Sequence, residues 1–241
     1  DHDAFYAVIG WFNQYLGLVE SVFLVYPASD KYALAYVYRR RLSKVRWEPF
    51  LSGLLIQNGK LTLQFAISAH NGQFNDPANE VQLRHMVSRV DRIRQLLNAK
   101  SKTFAGILPG VLHRKGILTE TPEADVTARV VAQAVTQVII QEEMGANVPI
   151  IILGGKGFIG KRVADKLAKY RIFPVDLDDE WPSHLRGQRV ILVNITLKNA
   201  LELYLERLWP EAVIINEVYP EPSSRVIGRI KAIGCVCYHI A

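Results

Sequence analysis

The stretch that decides the fold is VPIIILGGKGFIG, residues 148–160, just past the middle of the 241-residue chain. It opens with a run of apolar, mostly β-branched residues, Val148 to Leu153, of the kind that forms a buried strand. The run leads directly into GKGFIG, residues 155–160, which has the spacing G-x-G-x-x-G. Apolar residues then recur at three- and four-residue intervals, so a helix is expected to follow. A strand, a glycine turn and a helix in this order predict a dinucleotide-binding unit.

Each glycine of this turn has a physical purpose in such a unit. Gly155 permits the tight turn out of the strand, Gly157 lets the backbone approach a pyrophosphate, and Gly160 lets the helix pack close to the strand. The start of the helix then offers N–H groups and a partial positive charge to the phosphates. The candidate cofactor-binding residues of this segment are Gly154, Gly155, Lys156, Gly157, Phe158, Ile159 and Gly160.

A carboxylate follows the next predicted strand. Residues Arg171–Val175 lead into Asp176, about twenty residues beyond the first motif glycine, where dinucleotide-binding units bind the ribose hydroxyls. No Arg or Lys lies close behind Asp176 to bind a 2′-phosphate, so the sequence favours NAD over NADP as the cofactor. The alternative is that Asp176 only ends a strand and that the acids after it form a solvated loop.

The composition limits which class of protein this can be and which partners are expected. Hydrophobic residues make up 49% and charged residues 22% of the chain, which is ordinary for a globular protein. The net charge of +6 is concentrated at residues 39–46, but no nucleic-acid-binding motif accompanies this cluster, so no nucleic-acid partner is expected. The apolar runs are shorter than a membrane span and no signal peptide is visible, so we expect no membrane partner and a cytoplasmic location. Cys235 and Cys237 are expected to be reduced thiols on opposite faces of a strand, with no metal site.

From residue 147 onward, apolar runs alternate with helical patterns. Such alternation predicts a parallel sheet covered by helices. The predicted strands after the glycine loop are 171–175, 190–194, 212–216 and 235–240, and the predicted helices are 200–209 and 223–233. Before residue 147, strands are predicted at 20–26, 49–56, 61–68 and 102–108, and helices at 80–97 and 123–144.

The predicted fold class is therefore α/β, with an N-terminal α/β lobe followed by a Rossmann-type parallel-sheet lobe. The predicted boundaries are residues 1–121 for the first lobe, which would hold the substrate, 122–146 for a connecting helix, and 147–241 for the Rossmann dinucleotide-binding domain.

Other protein classes use similar glycine loops. Residues 155–161 also fit G-x-x-x-x-G-K, but Arg162 follows where a P-loop needs Ser or Thr, so nucleotide hydrolysis is not expected. Short-chain dehydrogenases need a Tyr-x-x-x-Lys segment, which this chain lacks. Adenosylmethionine-dependent methyltransferases use a similar strand, glycine loop and acid, and they remain an alternative.

Two later segments carry a family resemblance. Residues 191–196, ILVNIT, resemble the apolar-Asn-x-Thr segment of shikimate dehydrogenases, and residues 216–222, NEVYPEP, resemble their D-x-V-Y-x-P loop. With the order of the lobes, they make the chain resemble the two-domain NAD(P) dehydrogenases of the shikimate dehydrogenase and methylene-tetrahydrofolate dehydrogenase group. The resemblance implies hydride transfer in a cleft between two lobes. It makes Asn194 and Thr196 candidates for the nicotinamide side of the cofactor, and Glu217 and Tyr219 candidates for lining the substrate cleft.

Hydride transfer is usually coupled to the transfer of a proton, so the site needs an acid/base group as well. His113 and Lys115 follow a predicted strand and a Pro-Gly turn, and Asp125 near the start of the next helix is placed to hold the charge of Lys115. The spacing differs from that of the family's catalytic Lys and Asp. A solvated basic loop and a carboxylate that stabilises a helix start are the alternatives.

The sequence thus predicts an NAD(P)-dependent oxidoreductase that acts on a small polar substrate. A non-catalytic NAD-binding regulatory or sensor protein is the main alternative, ahead of the methyltransferase. A homodimer stays open.

Overall fold

The structure is a computed structural model that describes residues 2–196, 200–219 and 221–240. It divides into two compact units, Asp1–Glu123 and Ala124–Ala241. The boundary falls at the start of the helix that the sequence predicts as the connecting segment. None of the described helices is long and apolar enough to cross a membrane.

The first unit is built around a four-stranded mixed sheet in the order β2-β3-β1-β4, in which β2 is antiparallel to β3 and the other pairs are parallel. Its largest buried side chains include Phe65, Phe74 and Met86. Short 3-10 segments cover Arg39–Arg41 and Pro77–Asn79. In chain order the elements are α1 (Asp3–Leu16), β1 (Val19–Val25), α2 (Asp30–Ala33), β2 (Phe50–Gln57), β3 (Lys60–Ala66), α3 (Asn71–Phe74), α4 (Glu80–Leu96), β4 (Ser101–Phe104) and α5 (Leu108–Arg114).

Two features of this unit differ from the sequence prediction. The helix α1 was not predicted, because its buried side holds Tyr6, Gly10 and Asn13 while its other large apolar side chains are mostly exposed, so no apolar stripe marks the side that packs. The predicted strand 102–108 is wrong in its second half, since β4 ends at Phe104 and Leu108 begins α5. Pro109 lies in the first turn of α5, where a missing N–H removes no helical hydrogen bond, so Pro-Gly starts a helix there instead of a turn.

The second unit contains a five-stranded sheet in the order β6-β5-β7-β8-β9, and each neighbouring pair is parallel. This confirms the predicted α/β class with a Rossmann-type parallel sheet after an α/β lobe. Short 3-10 segments cover Ser183–Leu185 and Ala200–Arg207. In chain order the elements are α6 (Pro122–Gln141, which begins in the first unit), β5 (Pro149–Leu153), α7 (Phe158–Lys166), β6 (Arg171–Val175), β7 (Ile191–Asn194), β8 (Val213–Asn216), α8 (Ser224–Ile233) and β9 (Val236–His239).

The sheet is covered on both faces. All five residues of β5 are buried, and successive side chains enter different cores: Ile151 and Leu153 join one cluster, Ile150 and Ile152 the other. The helices α6 and α7 cover the second cluster, and α8 with the 3-10 segment covers the first. The prediction of an amphipathic α-helix at 200–209 is wrong in helix type, because the segment winds with a period of three. Cys235 and Cys237 are free thiols, as predicted, but their predicted placement on opposite faces is wrong: both pack against the same buried cluster, because residues two apart on a strand share a face.

Candidate functional site

The strand order creates a switch point at β5. The chain passes from β5 through α7 to β6 on one side, and then returns to β7 on the other side of β5. Open α/β sheets bind ligands outside the carboxyl ends of the strands at such a point, because the connections leave in opposite directions and open a crevice. The glycine loop follows β5 and residues 194–196 follow β7, so both predicted cofactor segments lie at this point.

The glycine loop is closed by its own backbone. Gly154 has φ of 81°, a left-handed conformation that favours glycine, and its N–H donates to the carbonyl of Val175 over 2.8 Å. The N–H of Gly157 in turn donates to the carbonyl of Gly154 over 3.0 Å. The left-handed residue is therefore Gly154, one position before the first glycine of the motif, to which the sequence had given the turn.

Two motif glycines have no room for a side chain. A Cβ on Gly155 would lie 2.6 Å from the Cβ of Pro174 on β6. A Cβ on Gly160 would lie 2.0 Å from the carbonyl oxygen of Gly154. The predicted role of Gly160 in close packing is confirmed by this distance, since the first turn of α7 lies directly against the turn that leaves β5.

The start of α7 presents backbone rather than side chains. Gly157 is the N-cap residue, and the N–H of Lys161 closes the first turn onto the carbonyl of Gly157 over 3.1 Å. The N–H groups of a first turn point out of the helix end and carry a partial positive charge. The side chains of Phe158 and Ile159 point into packing: Arg162 stacks on the ring of Phe158, and Ile159 packs on the sheet core.

A carboxylate pair joins the glycine loop to the end of β6. The N–H of Lys156 donates to Oδ2 of Asp176 over 3.2 Å, and the N–H of Asp176 donates to Oδ2 of Asp179 over 2.8 Å. The ammonium group of Lys156 pairs with Asp179, and this contact holds the pKa of Asp179 below its ordinary value. The predicted acid therefore lies beside the loop, and Lys156, a predicted cofactor-binding residue, joins the two through its backbone and its side chain.

A row of polar side chains crosses the carboxyl ends of β7, β8 and β9. The hydroxyl of Thr196 donates to Oδ1 of Asn194 over 2.7 Å, and Nδ2 of Asn194 donates to Oδ1 of Asn216 over 2.6 Å. Nδ2 of Asn216 lies 3.0 Å from Nδ1 of His239 and donates to the carbonyl of Val218. Both asparagines are buried, so each amide needs these partners.

This polar row touches the glycine loop. A Cβ on Gly154 would lie 3.0 Å from the carbonyl oxygen of Ile195 and 3.2 Å from Cγ2 of Thr196. Sequence reasoning missed Asn216 and His239 as members of the row. The signal was present, since the β7 sequence ILVN and the β8 sequence VIIN both end in Asn after an apolar run.

The two predicted cleft residues differ in burial. Glu217 is half-buried just beyond β8, and burial raises the pKa of its carboxyl group. Tyr219 is 83% exposed. Their contact with a substrate stays a prediction.

The predicted acid/base residues have other partners. His113 lies in the last turn of α5 and Lys115 follows it, so neither lies in the predicted loop after a turn. Nζ of Lys115 lies 3.9 Å from Oε2 of Glu80, and Oδ1 of Asp125 lies 3.4 Å from Nε of Arg162. The pairing of Lys115 with Asp125 that the sequence suggested stays a prediction, as do the catalytic roles.

The hollows of the second unit lie away from the glycine loop. One of 770 Å³ is lined by α6 and residues 166–169, and one of 240 Å³ lies beside Trp181. Lys156 and Gly157 are exposed, so among the residues that the structure describes the loop is open to solvent. An extended ligand laid across the sheet edge fits this arrangement better than a small ligand in an enclosed cavity.

Comparison with known proteins gives no family by sequence: no protein-family model and no curated protein matches the chain. Among solved structures it is similar to shikimate 5-dehydrogenase from Listeria monocytogenes, in complex with shikimate and NAD, at 12% identity and a TM-score of 0.45, covering 92% of this chain and 86% of that one. A shikimate dehydrogenase in complex with NADP⁺ gives 12% identity and a TM-score of 0.49, covering 92% and 84%.

The bifunctional methylenetetrahydrofolate dehydrogenase/cyclohydrolase from Campylobacter jejuni gives 10% identity and a TM-score of 0.46, covering 98% of this chain and 86% of that one. These structures belong to the two enzyme families that the motifs of the sequence resemble.

Proposed function

We propose that the second unit binds NAD and that the protein is an NAD(P)-dependent oxidoreductase, which transfers a hydride to or from a small polar substrate. The observation that carries this proposal is the hydrogen bond from the N–H of Lys156 to Asp176. It holds a carboxylate beside a glycine loop and a helix start at the switch point of a parallel sheet. Phosphate and ribose groups of one dinucleotide would bind there together.

The residues at this point fit the cofactor. A carboxylate offers about four acceptor positions, and the N–H of Lys156 uses one of those on Asp176, so ribose hydroxyl groups can donate to the others. Gly155 and Gly160 bring α7 close to the sheet and leave the backbone of the loop open for phosphates. Bound NAD⁺ would accept a hydride, or NADH would donate one, and the chain would supply binding, orientation and a group that takes up or gives the accompanying proton.

The charge of the acid loop favours NAD over NADP. Asp176 accepts from the backbone N–H of Lys156 and Asp179 pairs with its ammonium group, so two carboxylates lie beside one positive charge. The ammonium group is paired with Asp179, so a 2′-phosphate beside Asp176 would meet net negative charge. Repulsion of this kind is a common basis for discrimination between the two cofactors.

Thr196 and Asn194 are proposed to orient the nicotinamide end. Their hydrogen bond and the contact of residues 195–196 with Gly154 fix the end of β7 against the loop that would hold the phosphates. A rigid edge of this kind positions a bound group without reorganisation, which is how proteins assist hydride transfer.

The proton-transferring group is proposed to be Lys115, with His113 as its neighbour, or Glu217. Lys115 has a charged partner, Glu80, and a half-buried ammonium group. Burial raises the pKa of Glu217, which lets its carboxyl group hold a proton closer to neutral pH. Asp125 pairs with Arg162 and is proposed only to favour the start of α6. The position of the substrate between the two lobes stays a prediction.

A regulatory or sensor protein that binds NAD without turnover is the second candidate. The amides of Asn194 and Asn216 are hydrogen-bonded to each other and to their neighbours, which favours a structural role for the polar row. The methyltransferase alternative gains no support from the described residues. That fold ends in an antiparallel pair of strands, whereas the described strand pairs of the second sheet are all parallel.

Thermal unfolding with separate additions of NAD, NADP and adenosylmethionine tests the proposal. A ligand at about 100 times its Kd stabilises the native state by about 2.7 kcal/mol, so we expect NAD to raise the melting temperature most. Stabilisation by adenosylmethionine alone would contradict the proposal in favour of a transferase. No stabilisation by any of the three would contradict the site itself.

Turnover separates an enzyme from a sensor. We expect wild-type protein to oxidise NADH with at least one member of a panel of small oxo acids. Loss of a proton-transferring group typically lowers the rate by about 10²–10⁴-fold, so Lys115→Met or Glu217→Gln should do so while NAD affinity is unchanged. Glu80→Gln is the matched control, because it removes the ion pair of Lys115 but keeps its amine. NAD binding without turnover across the panel would favour the sensor.

A further inference from the structure

The helix α1 exposes a continuous apolar surface that the proposed function does not use. Its exposed apolar side chains recur at three- and four-residue spacing and, at about 100° per residue, share an arc of about 140°. Trp11 is 57% exposed and Tyr15 71% exposed, and their rings contact each other edge to face. We call this set the α1 stripe; its members are Phe5, Val8, Trp11, Phe12, Tyr15 and Leu16.

The opposite side of α1 is firmly held, so the exposure of the stripe follows from how the helix docks. Asn13 is buried, and its Nδ2 donates to the carbonyls of Val19, Leu97 and Asn98 at 3.0–3.1 Å. Gly10 lies so close to α4 that a Cβ would be 1.8 Å from the carbonyl oxygen of Leu96. Rotation of α1 about its axis to bury the stripe would therefore break these contacts.

The strand β2 extends this surface. Leu54 and Ile56 pair with Leu63 and Leu61 across the sheet, and residues directly opposite each other in an antiparallel pair lie on the same face. Leu63 shares that face with Phe65, which α1 contacts through Tyr6. Leu54 and Ile56 are 61% and 75% exposed, although they lie on the face that α1 partly covers.

Backbone contacts join the two parts. The N–H of Leu61, the partner of Ile56, donates to the carbonyl of Leu18 just after α1, over 2.8 Å. Nζ of Lys60 donates to the carbonyl of Gly17 over 2.9 Å, which places its charge at the rim. The end of α1 thus lies beside β3, the neighbour of β2, with the α1 stripe and the exposed side chains of β2 on the same side of the sheet.

The size of this surface fits a second copy of the chain. At about 200 Å² for a large aromatic side chain, the exposed fractions of the stripe, Leu54 and Ile56 amount to on the order of 800 Å². A stable interface buries about 800 Å² from each partner, whereas the largest apolar patch on a typical monomer is about 300–600 Å².

The lack of charge on this surface also favours a second copy of the chain as its partner. The sequence of α1, DAFYAVIGWFNQYL, contains no Lys or Arg, whereas helices that bind membrane surfaces carry them on their polar face. β2, FLSGLLIQ, has no charged residue and no proline to protect its edge. A surface without charge can meet its own copy with no repulsion, and two-fold pairing of identical surfaces is the commonest assembly of soluble proteins.

We propose that the protein forms a two-fold symmetric homodimer through the α1 stripe together with Leu54 and Ile56. The interface packs the aromatic residues of one α1 on those of the other. It lies in the first unit and does not depend on the proposed cofactor.

Sedimentation equilibrium of the full chain between about 1 and 100 µM tests this proposal. We expect a dimer whose dissociation constant rises at least about 100-fold in Trp11→Lys/Ile56→Lys, because each lysine would be buried without a partner. Leu203→Lys is the matched control, since Leu203 is 65% exposed in the second unit, and we expect its dimer to be unchanged. A monomeric wild type at the highest concentration would overturn the proposal, as would an equal loss in the control.

A second measurement guards against a variant that fails to fold. Of the four tryptophans, Trp11 is the exposed one, so the fluorescence that differs between wild type and Trp11→Phe reports on it. In a dimer we expect acrylamide to quench this component less as protein concentration rises. Unchanged quenching contradicts the interface. Cosedimentation of a monomer with phosphatidylcholine vesicles would show that the surface binds lipid instead and would also overturn the proposal.

Discussion

The N–H of Lys156 donates a hydrogen bond to Oδ2 of Asp176 over 3.2 Å, although twenty residues separate them in the sequence. The contact exists because β5 and β6 are parallel neighbours, so the loops beyond their carboxyl ends meet. It joins the residue proposed to bind ribose to the loop proposed to bind phosphates.

Replacement of Asp176 by Asn tests this assignment. The amide oxygen can still accept from the N–H of Lys156, but a charged acceptor for the ribose hydroxyl groups is lost. We expect the Kd for NAD to rise about tenfold, an effect of about 1.4 kcal/mol, and the Kd for NADP to rise less. Isothermal titration calorimetry measures both. Asp178→Asn, an exposed neighbour with the same loss of charge, is the control, and an equal effect in both variants contradicts the ribose contact.

Gly160→Ala tests the close contact between α7 and the glycine loop. The new Cβ would lie 2.0 Å from the carbonyl oxygen of Gly154, so the helix must move away. We expect a loss of about 1–3 kcal/mol in the free energy of unfolding, measured in urea, together with weaker NAD binding. Gly228→Ala in α8 is the matched control, because nothing lies within 4 Å of its Cβ, and alanine should raise helix stability by up to about 1 kcal/mol there. Equal stability of the two variants contradicts the packing argument.

The ion pair between Lys156 and Asp179 gives a pH dependence with a defined sign. The Lys156 side chain and then the N–H of Asp176 hold the pKa of Asp179 below its ordinary value of 3.8. A carboxyl group whose pKa is lower in the folded state contributes stability above its unfolded pKa and loses it as the pH falls through the folded value. The stability of wild type relative to Lys156→Met should therefore shrink as the pH falls below 3.8.

Carboxyl-carbon NMR titration checks the same pair directly. In Lys156→Met the pKa of Asp179 should rise toward 3.8 but stay below it, because the N–H of Asp176 remains. When Asp179 is replaced by Asn in both proteins, the difference in stability between Lys156 and Lys156→Met should no longer depend on pH. A stability difference that is constant with pH would show that the ion pair does not form in solution.

Asn13→Ala tests how α1 is attached. The change leaves the N–H of Val19 without its 2.7 Å partner and also removes the donor to the buried carbonyls of Val19 and Leu97 and to the part-buried carbonyl of Asn98. Each unsatisfied buried group costs about 1–3 kcal/mol, so we expect a loss on the order of 3 kcal/mol in the free energy of unfolding. Gln14→Ala, exposed on the same helix, is the control and should change it by less than about 0.5 kcal/mol. A small effect at Asn13 would mean that other contacts hold α1, among them the ion pairs of Asp3 with Arg89 and Arg92 of α4.

Local patterns accounted for much of the second unit. The apolar runs at β5, β6, β7 and β8 were predicted close to their observed bounds, because buried parallel strands are apolar along their length. The glycine spacing also predicted the turn and the helix α7, because both depend on residues that are neighbours in the sequence. The period-three segment 200–207 was not distinguished from an α-helix, because its buried positions suit either winding.

The first unit shows where such patterns fail. Most large apolar residues of α1 face away from its buried side, so no apolar stripe marks the side that packs, and burial of that side depends on α4. Pro109-Gly110 indicated a turn, but burial of Leu108, Val111 and Leu112 favours the helix α5. Tertiary packing outweighs local preference at both places.

The amino-acid sequence alone determined the part of the site that one continuous segment forms: the strand, the glycine turn and the start of α7. Contacts between segments were not fixed in this way. The pairing of Lys156 with Asp179, the row from Thr196 through Asn194 and Asn216, and the exposure of Trp11 all depend on which strands and helices become neighbours. That choice belongs to the packed fold, because sheet order and register bring together side chains that no spacing along the chain connects.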